Sequence, residues 1–385
     1  MRCLPVVALA GACALACGSA GKPAECPADG GADAGADAGF ETAPHGAFPQ
    51  ATDAGGPVLT NPDIVTVTFP HYDQESTVQG YGAFVAGSDW LTTIGKDYGV
   101  GAGTASAVVL PSPAPATLGD GDVQQILKTR IGDHTLPAPG PDTVYVVYVP
   151  AGTAGTDFVG GPDCGAAEGH LLGGYHWESS LNGKPFPYAV VASCQGQSVA
   201  DLELTASHEI AEAATDPFPN SAPAWGIVDP ASPWRYDNSE LADLCVLQTV
   251  TEQGYTLSRV WSNSAAAASH DPCVPVPADA LPYFNASLSP ATVQTVPADG
   301  IVTYTLTGWS LGPVPDWGLS VELSPYATFT PTTWIDRGTL NNGETATLTV
   351  VVPPGSPSGA YAGLLVYSRS QPAEAAYWLA AVQVQ

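Results

Sequence analysis

One short segment of the chain combines residue types and a spacing that suit metal chemistry. It reads TASHEIAEAATD from Thr205, so that His208 and Glu212 are four residues apart. On a helix, such a pair projects from one face at adjacent turns and can bind one metal ion. Glu209 lies beside the pair, where its carboxylate can take a proton from an activated water molecule. The segment predicts an HExxH-type helix with Glu in place of the second His; the alternative is a solvated His–Glu pair on a surface helix.

The third ligand of such a site must come from elsewhere, because a catalytic zinc ion takes three protein ligands and keeps a fourth position for water. Glu240 is the first choice. It precedes Asp243 by three residues in what we predict to be a single helical turn, anchored by Cys245. Asp229 and Asp237 are the alternatives.

The expected site therefore has His208, Glu212 and Glu240 as metal ligands and Glu209 as the general base. Zn²⁺ is the expected ion, and the carboxylate ligands also suit Ca²⁺ or Mn²⁺. Hydrolysis of an amide further needs a hydrogen-bond donor to the oxyanion of the tetrahedral intermediate. The candidate donors are His176, Tyr255 and His270.

The helix that must position the pair is predicted between Ser198 and Pro217. Ser198 is a suitable N-cap, and Asp201 and Glu203 place carboxylates near the positive end of the helix dipole. Pro217 ends the helix. Apolar side chains along one side predict a buried face: Leu202, Ala206, Ile210, Ala213 and Ala214.

Residues 57–277 alternate between predicted strands and helices, which is typical of an α/β or α+β domain. The run TVYVVYV from Thr143 is apolar enough for a central strand. Helices are predicted over 78–98 and 122–131, and further strands over 63–69, 107–110, 172–177 and 188–192. From residue 279 to residue 385, short alternating segments predict an all-β, immunoglobulin-like sandwich. We expect this sandwich to be an accessory module with no site of its own; the alternative is carbohydrate or cell-surface adhesion.

The N-terminal residues predict export. Arg2 precedes an apolar run that is too short to span a bilayer and fits a secretory signal. Cys17 follows Ala-Leu-Ala, so residues 1–17 are predicted to be a lipoprotein-type signal, with Cys17 as the lipid anchor and plain secretion as the alternative. Residues 18–56 are rich in Ala, Asp and Gly and predict a flexible spacer. We expect an extracellular or cell-envelope protein that touches a membrane only through Cys17.

Charge and cysteine content restrict the partners and the compartment. The chain has 10 Lys and Arg and 37 Asp and Glu, which gives a net charge of −27 at pH 7. This balance argues against a nucleic-acid partner. Four cysteines lie in the middle of the chain, an even number that fits an oxidising compartment. Their order suggests the pairs Cys164–Cys194 and Cys245–Cys273, although four cysteines permit three pairings.

Several stretches together resemble one family. They are SHEIAEAATDP from Ser207, AWGIVDP from Ala224, SELADLC from Ser239 and GYTLSRVWSN from Gly254, followed by Cys273. They are similar to the secreted phosphate-induced (EXORDIUM-like) proteins and their bacterial HExxE relatives, which are regarded as candidate zinc metallopeptidases. The resemblance covers about residues 56–274 and neither the spacer nor the sandwich.

The resemblance implies a zincin-like domain with His208, Glu212 and Glu240 as ligands and Glu209 as the base. Residues 233–237 lengthen one loop relative to the family pattern, so the placement of the two alternative aspartates stays open. Together, these features predict a secreted metal-dependent peptidase that acts on peptides or proteins, with a cell-surface polymer as a further candidate partner.

The rival interpretation is a non-catalytic extracellular binding or signalling protein that keeps the metal helix for stability. In that case Trp225 and Trp234, which lie near the expected site in the sequence, form a platform for a sugar.

Overall fold

The computed structural model describes residues 39–155, 173–236, 239–246, 248–371 and 374–385. Its α/β content is mixed, and strands predominate over helices. No described helix is long and apolar enough to cross a membrane. The predicted signal, Cys17 and the predicted spacer up to residue 38 lie outside the described residues, as does Cys164.

We call residues 52–279 the first region. Its described part contains five helices: α1 Glu75–Ala86, α2 Asp89–Gly95, α3 Asp120–Gly132, α4 Val199–Thr215 and α5 Asn263–Ala267. Its strands are β1 Thr52–Asp53, β2 Asp63–Thr68, β3 Thr104–Val109, β4 Thr117–Leu118, β5 Thr143–Val149, β6 Ala154–Gly155, β7 Gly174–Leu181, β8 Lys184–Ala192, β9 Trp225–Gly226, β10 Thr249–Glu252, β11 Tyr255–Ser258, β12 Val260–Trp261 and β13 Cys273–Val274. Two 3₁₀ turns, η1 Pro233–Tyr236 and η2 Asp243–Cys245, lie between α4 and β10.

A five-stranded sheet with the order β3-β2-β5-β8-β7 is the framework of this region. The strands run parallel except β7, which pairs antiparallel with β8 at the edge of the sheet. β5 is buried along its whole length, as expected for a nearly continuous apolar run covered on both faces. Val144 belongs to the core that contains residues of α1 and α4, whereas Tyr145 belongs to the core that contains residues of α3. The predicted central strand is confirmed.

Two local features differ from the sequence prediction. The helix predicted over 78–98 is divided into α1 and α2, because Ser88 caps a new helix by accepting a hydrogen bond from the Leu91 N–H at 3.1 Å. The strands predicted over 172–177 and 188–192 are longer and form one hairpin. Asn182 and Gly183 both have positive φ at its turn, which is the conformation that Asn-Gly favours between antiparallel strands.

The region from residue 280 onwards contains strands only, within its described residues: β14 Phe284–Ser289, β15 Gln294–Val296, β16 Ile301–Ser310, β17 Trp317–Leu323, β18 Thr332–Ile335, β19 Thr339–Leu340, β20 Thr345–Val351, β21 Tyr361–Gln371 and β22 Glu374–Val384. They form one sheet of order β14-β16-β20-β18 and another of order β15-β22-β21-β17-β19. Large buried side chains, among them Tyr304, Trp309 and Trp317, fill this region.

The segment 40–56 differs from the predicted spacer, because it is packed into the fold. The Phe48 side chain is 5% exposed, and its ring lies 5.6 Å from that of Trp261 and 5.1 Å from that of Trp378. The His45 ring stacks on Trp309 at 3.6 Å. These partners belong to both the first region and the sandwich, so this segment joins the two. The Gly- and Ala-rich composition of this segment predicts a spacer and does not indicate that the rings of His45 and Phe48 pack against other aromatic side chains.

Candidate metal centre

Helix α4 carries the predicted HExxE segment through the interior of the protein. The Ser198 side chain accepts a hydrogen bond from the Asp201 N–H at 3.1 Å, and the Asp201 carboxylate accepts one from the Ser198 N–H at 3.1 Å. This reciprocal cap starts the helix where the sequence predicts it. All residues from Thr205 to Thr215 are buried. The alternative of a solvated His–Glu pair on a surface helix is therefore wrong.

His208 and Glu212 meet as their spacing predicts. The His208 Nε2 atom lies 3.0 Å from Glu212 Oε1 and 3.1 Å from Asp243 Oδ1. Glu212 Oε1 is buried, yet it makes no hydrogen bond with any described residue, because its contact with the imidazole lacks hydrogen-bond geometry. His208, Glu212 and Asp243 offer three ligand atoms within 4.8 Å of one another. Buried histidine and carboxylate groups that could bind a metal ion are thus present.

His176 approaches the same carboxylate from the edge strand β7. Its Nδ1 atom lies 3.3 Å from Glu212 Oε2, and its Nε2 atom lies 3.1 Å from the carbonyl oxygen of Asp216. With Glu209 and Glu212, it forms a second group whose ligand atoms lie within 4.8 Å of one another. The sequence predicts His176 only as a candidate donor to the oxyanion. Its place among the candidate ligands depends on β7 lying against α4, which no local sequence pattern reveals.

The loop 239–246 brings its two acidic side chains to different sides of the cluster. Glu240 Oε1 lies 3.8 Å from His176 Nε2, whereas Asp243 contacts His208. Glu240 precedes the 3₁₀ turn η2, and its carbonyl accepts a hydrogen bond from the Leu244 N–H at 3.1 Å. The sequence predicts a helical turn at Asp243, which agrees with η2, but it does not assign Asp243 as a metal ligand.

The other sequence candidates have different surroundings. Asp229 is exposed, and its carboxylate accepts a hydrogen bond from the Ala231 N–H at 2.9 Å. Asp237 lies outside the described residues. The Tyr255 ring stacks on Phe84 at 4.4 Å. The His270 N–H donates to the Ala265 carbonyl at 3.0 Å.

The prediction that Trp225 and Trp234 form a platform for a sugar is wrong for Trp234. The Trp234 side chain is 4% exposed and packs between Trp261 and Tyr377, so it cannot stack on a sugar. Trp225 is half-buried and its ring contacts Tyr98 at 5.1 Å.

The buried carboxylates of this cluster favour positive charge on their neighbours. Burial lowers the pKa of His176, but the carboxylates of Glu240, Glu212 and Glu209 outweigh it and raise that pKa to about 10. Burial lowers the pKa of His208 too, and its carboxylate neighbours raise it well above the usual value. Burial and the Glu212 charge raise the pKa of Glu209 to about 8. A divalent cation would supply positive charge in place of protonated imidazoles, so these donors could bind a metal ion.

Contacts with other elements hold the loop 239–246, which we call the ligand loop. A disulfide bond joins Cys245 to Cys273 and confirms that predicted pair. The Trp261 N–H donates to the Leu241 carbonyl at 3.0 Å. Cys194 is also disulfide-bonded, and its predicted partner lies outside the described part of the chain. The Cys245–Cys273 disulfide bond and the Trp261 hydrogen bond fix the backbone that carries Glu240 and Asp243.

Comparisons with known proteins leave the chain without an assigned family. No family model matches it, and no curated protein matches it. Solved structures similar to it include the secreted serine protease VesC from Vibrio cholerae, with 17% identity over 26% of this chain and a TM-score of 0.19; the chain covers 23% of that protein.

Two further structures are similar over more of the chain. A nucleoside hydrolase-related hypothetical protein from Saccharophagus degradans shows 11% identity over 72% of each chain and a TM-score of 0.25. OgpA from Akkermansia muciniphila shows 11% identity over 85% of this chain and 93% of its own, with a TM-score of 0.24. All three TM-scores are low.

Proposed function

We propose that this chain is a metal-dependent peptidase with a zincin-like domain, in which His208 and Glu212 bind Zn²⁺. The observation that carries the proposal is the Glu212 carboxylate. It lies between two buried imidazoles, and its Oε1 atom has no hydrogen bond from a described residue. Glu212 Oε1 and His208 Nε2 lie 3.0 Å apart without a hydrogen bond, so both atoms can coordinate one metal ion. Histidine nitrogens favour zinc over the oxygen-seeking Ca²⁺.

The third ligand in this proposal comes from the loop 239–246. Asp243 is our first choice, because its Oδ1 atom already lies 3.1 Å from His208 Nε2. Glu240, the ligand expected from the sequence, is the second choice, since its carboxylate lies on the His176 side.

A bound zinc ion supplies Lewis-acid activation of a water molecule and of the substrate carbonyl. Glu209 is the proposed base, because its buried carboxylate lies beside Glu212 at the candidate metal centre. The Glu209 carboxylate takes a proton from water as the water oxygen bonds to the substrate carbonyl carbon. It then passes this proton to the leaving nitrogen as the C–N bond breaks.

The edge strand β7 supports a peptide as the substrate class. β7 carries His176 and packs beside α4, and no described strand pairs with its outer edge. Such an edge offers main-chain N–H and C=O groups to an added strand, which is how extended peptides bind many sheets. An extended peptide paired with β7 runs past the candidate metal centre.

We further propose that the chain is exported, as a lipid-anchored or freely secreted protein, and that it is related to the phosphate-induced and HExxE proteins. The signal-like residues 1–17 support the first statement. The motif order from Ser207 to Cys273 supports the second.

A structural metal site in a non-catalytic protein is the second candidate function. The four side chains of His176, His208, Glu212 and Asp243 are all largely buried, and a closed set of four ligands is typical of structural zinc. In that case no coordination position remains for water.

One experiment separates the two functions. The purified full chain is assayed for metal by elemental analysis and for cleavage of a mixed peptide library, before and after treatment with a zinc chelator. The peptidase proposal expects about one metal ion per chain and cleavage that is lost on chelation and restored by Zn²⁺. Metal without cleavage supports the structural role, and a chain that binds no metal contradicts both.

A further inference from the structure

The outer face of the sandwich sheet β14-β16-β20-β18 is exposed to solvent. Alternation along its strands buries Tyr304 and Leu348 and turns Thr303 and Thr349 outwards. The register sets Thr303 opposite Thr349, and Thr349 opposite Trp334 on the edge strand β18. Since residues directly opposite one another share a face, these three side chains form a row across the sheet.

Further rows flank this one. Thr305 lies opposite Thr347 on one side, and Ile301 lies opposite Val351 on the other. Adjacent strands are about 4.8 Å apart and successive outward positions about 6.8 Å apart, so the threonine hydroxyls form a flat grid. The side-chain hydroxyls of this grid make no hydrogen bond with another residue in the described ranges. They are available to a ligand.

Trp334 gives this face a large aromatic surface. Its side chain is 50% exposed, and Ile301 in the next row is 63% exposed. An indole combines a broad apolar ring with an N–H donor, which suits a partner that is apolar on its faces and polar at its edges. A pyranose ring has this form, with C–H groups on its faces and hydroxyls around its rim.

The charge of the molecule restricts the partner of this face. The whole chain carries a net charge of −27, which repels an anionic polymer. The described residues of these rows include the Asp336 carboxylate, which lies opposite Thr347 and accepts a hydrogen bond from the Thr347 N–H at 2.8 Å. A carboxylate can also accept hydrogen bonds from the hydroxyls of a sugar. The grid therefore fits a hydroxyl-rich ligand without negative charge.

We propose that this face of the sandwich binds a neutral polysaccharide, with Trp334 stacked on a sugar ring and the threonine hydroxyls bonded to sugar hydroxyls. The proposal is independent of the metal centre, because it depends only on residues of β16, β18 and β20. It gives the sandwich a binding role of its own, which the sequence offers only as the alternative to an accessory module without a site.

The test uses the full chain and measures retention on microcrystalline cellulose and on insoluble chitin, with polygalacturonate as an anionic comparison. We expect the wild type to bind at least one of the two neutral polymers. Trp334→Ala should weaken that binding by about tenfold, the usual size of one lost stacking contact. Thr349→Val, which keeps the shape and the strand preference, should weaken it severalfold. The matched control is Tyr326→Ala, because Tyr326 is an aromatic side chain of the sandwich that is 40% exposed and lies outside the grid.

Several results would overturn the proposal. They are no retention on either neutral polymer, equal retention of the wild type and Trp334→Ala, or retention on polygalacturonate alone. Dimerisation of the wild type that Trp334→Ala abolishes would make the face a contact between copies of this chain. If Trp334→Ala does not fold, Thr349→Val decides the question alone.

Discussion

The Tyr377 hydroxyl of strand β22 donates a hydrogen bond to the backbone carbonyl of Asp243 at 3.0 Å. The same ring lies 5.7 Å from that of Trp234, in a stacked arrangement beside the ligand loop. The last strand of the sandwich therefore holds the turn that carries a candidate metal ligand. This contact links the two regions more closely than an accessory module requires.

Removing this hydroxyl should loosen the metal centre. Tyr377→Phe keeps the ring and deletes one hydrogen bond, worth about 0.5–1.5 kcal/mol, so we expect zinc affinity to fall severalfold in a competition with a chromogenic chelator. The control is Tyr304→Phe, which deletes the bond from the Tyr304 hydroxyl to the Ala381 carbonyl at 3.0 Å. It should cost similar stability and leave zinc affinity unchanged. Equal zinc affinity in both variants would show that Tyr377 has no positioning role.

Glu209→Gln should separate catalysis from metal binding. The amide keeps the shape of the side chain and cannot accept the proton, so cleavage of the peptide library should fall by about 10²–10⁴-fold while metal content stays. Glu203→Gln is the control on the same helix, since the buried Glu203 carboxylate accepts a hydrogen bond from the Thr256 N–H at 2.9 Å, away from the cluster. It should alter stability only. Full activity in Glu209→Gln would end the proposed mechanism.

The third ligand can be identified by paired amide substitutions. If Asp243 binds the metal, Asp243→Asn should lower metal content sharply and Glu240→Gln should lower it little. A sharp loss of metal in Glu240→Gln with little loss in Asp243→Asn would instead support Glu240 as the third ligand, as the sequence predicts. Elemental analysis after dialysis measures both. The pair also tests the site itself, since no change in either variant would remove this loop from the metal centre.

Gly174 should be required for the close approach of β7 to α4. A Cβ atom at this position would lie 2.6 Å from Thr205 Cγ2 and 2.8 Å from Glu209 Oε1. Gly174→Ala must therefore displace Glu209 or the strand, and we expect a loss of about 1–3 kcal/mol in unfolding free energy together with reduced cleavage. Gly80→Ala is the control, because its Cβ would meet nothing nearer than the Tyr255 hydroxyl at 3.8 Å. Chemical denaturation and peptide turnover check both, and unaltered turnover in Gly174→Ala would be the contrary result.

The segment 40–56 should be needed for stability. Phe48→Ala leaves a cavity among aromatic rings from both regions and should cost about 3–5 kcal/mol. A chain that begins at Gly39 keeps this contact and should match the full chain in thermal unfolding. A chain that begins at residue 57 loses it and should unfold at a lower temperature. If that shorter chain is as stable as the full chain, the segment is the dispensable spacer that its composition suggested.

The sequence determined the local elements whose causes are local. Ser198, the apolar positions of α4 and Pro217 set the limits of the helix, and the spacing of His208 and Glu212 put both side chains on one face of it. The apolar run from Thr143 set the central strand. Capping, periodicity and burial preference act over a few residues, so they can be read from the chain.

Only the tertiary structure decided what surrounds that helix. His176 reaches Glu212 because an edge strand packs beside α4, and Asp243 reaches His208 because a loop some thirty residues downstream is tied by Cys245–Cys273 and Tyr377. Phe48 became part of the core through rings far along the chain. These contacts depend on how separate elements pack against one another, and the free energy of that packing leaves no periodic mark in the sequence.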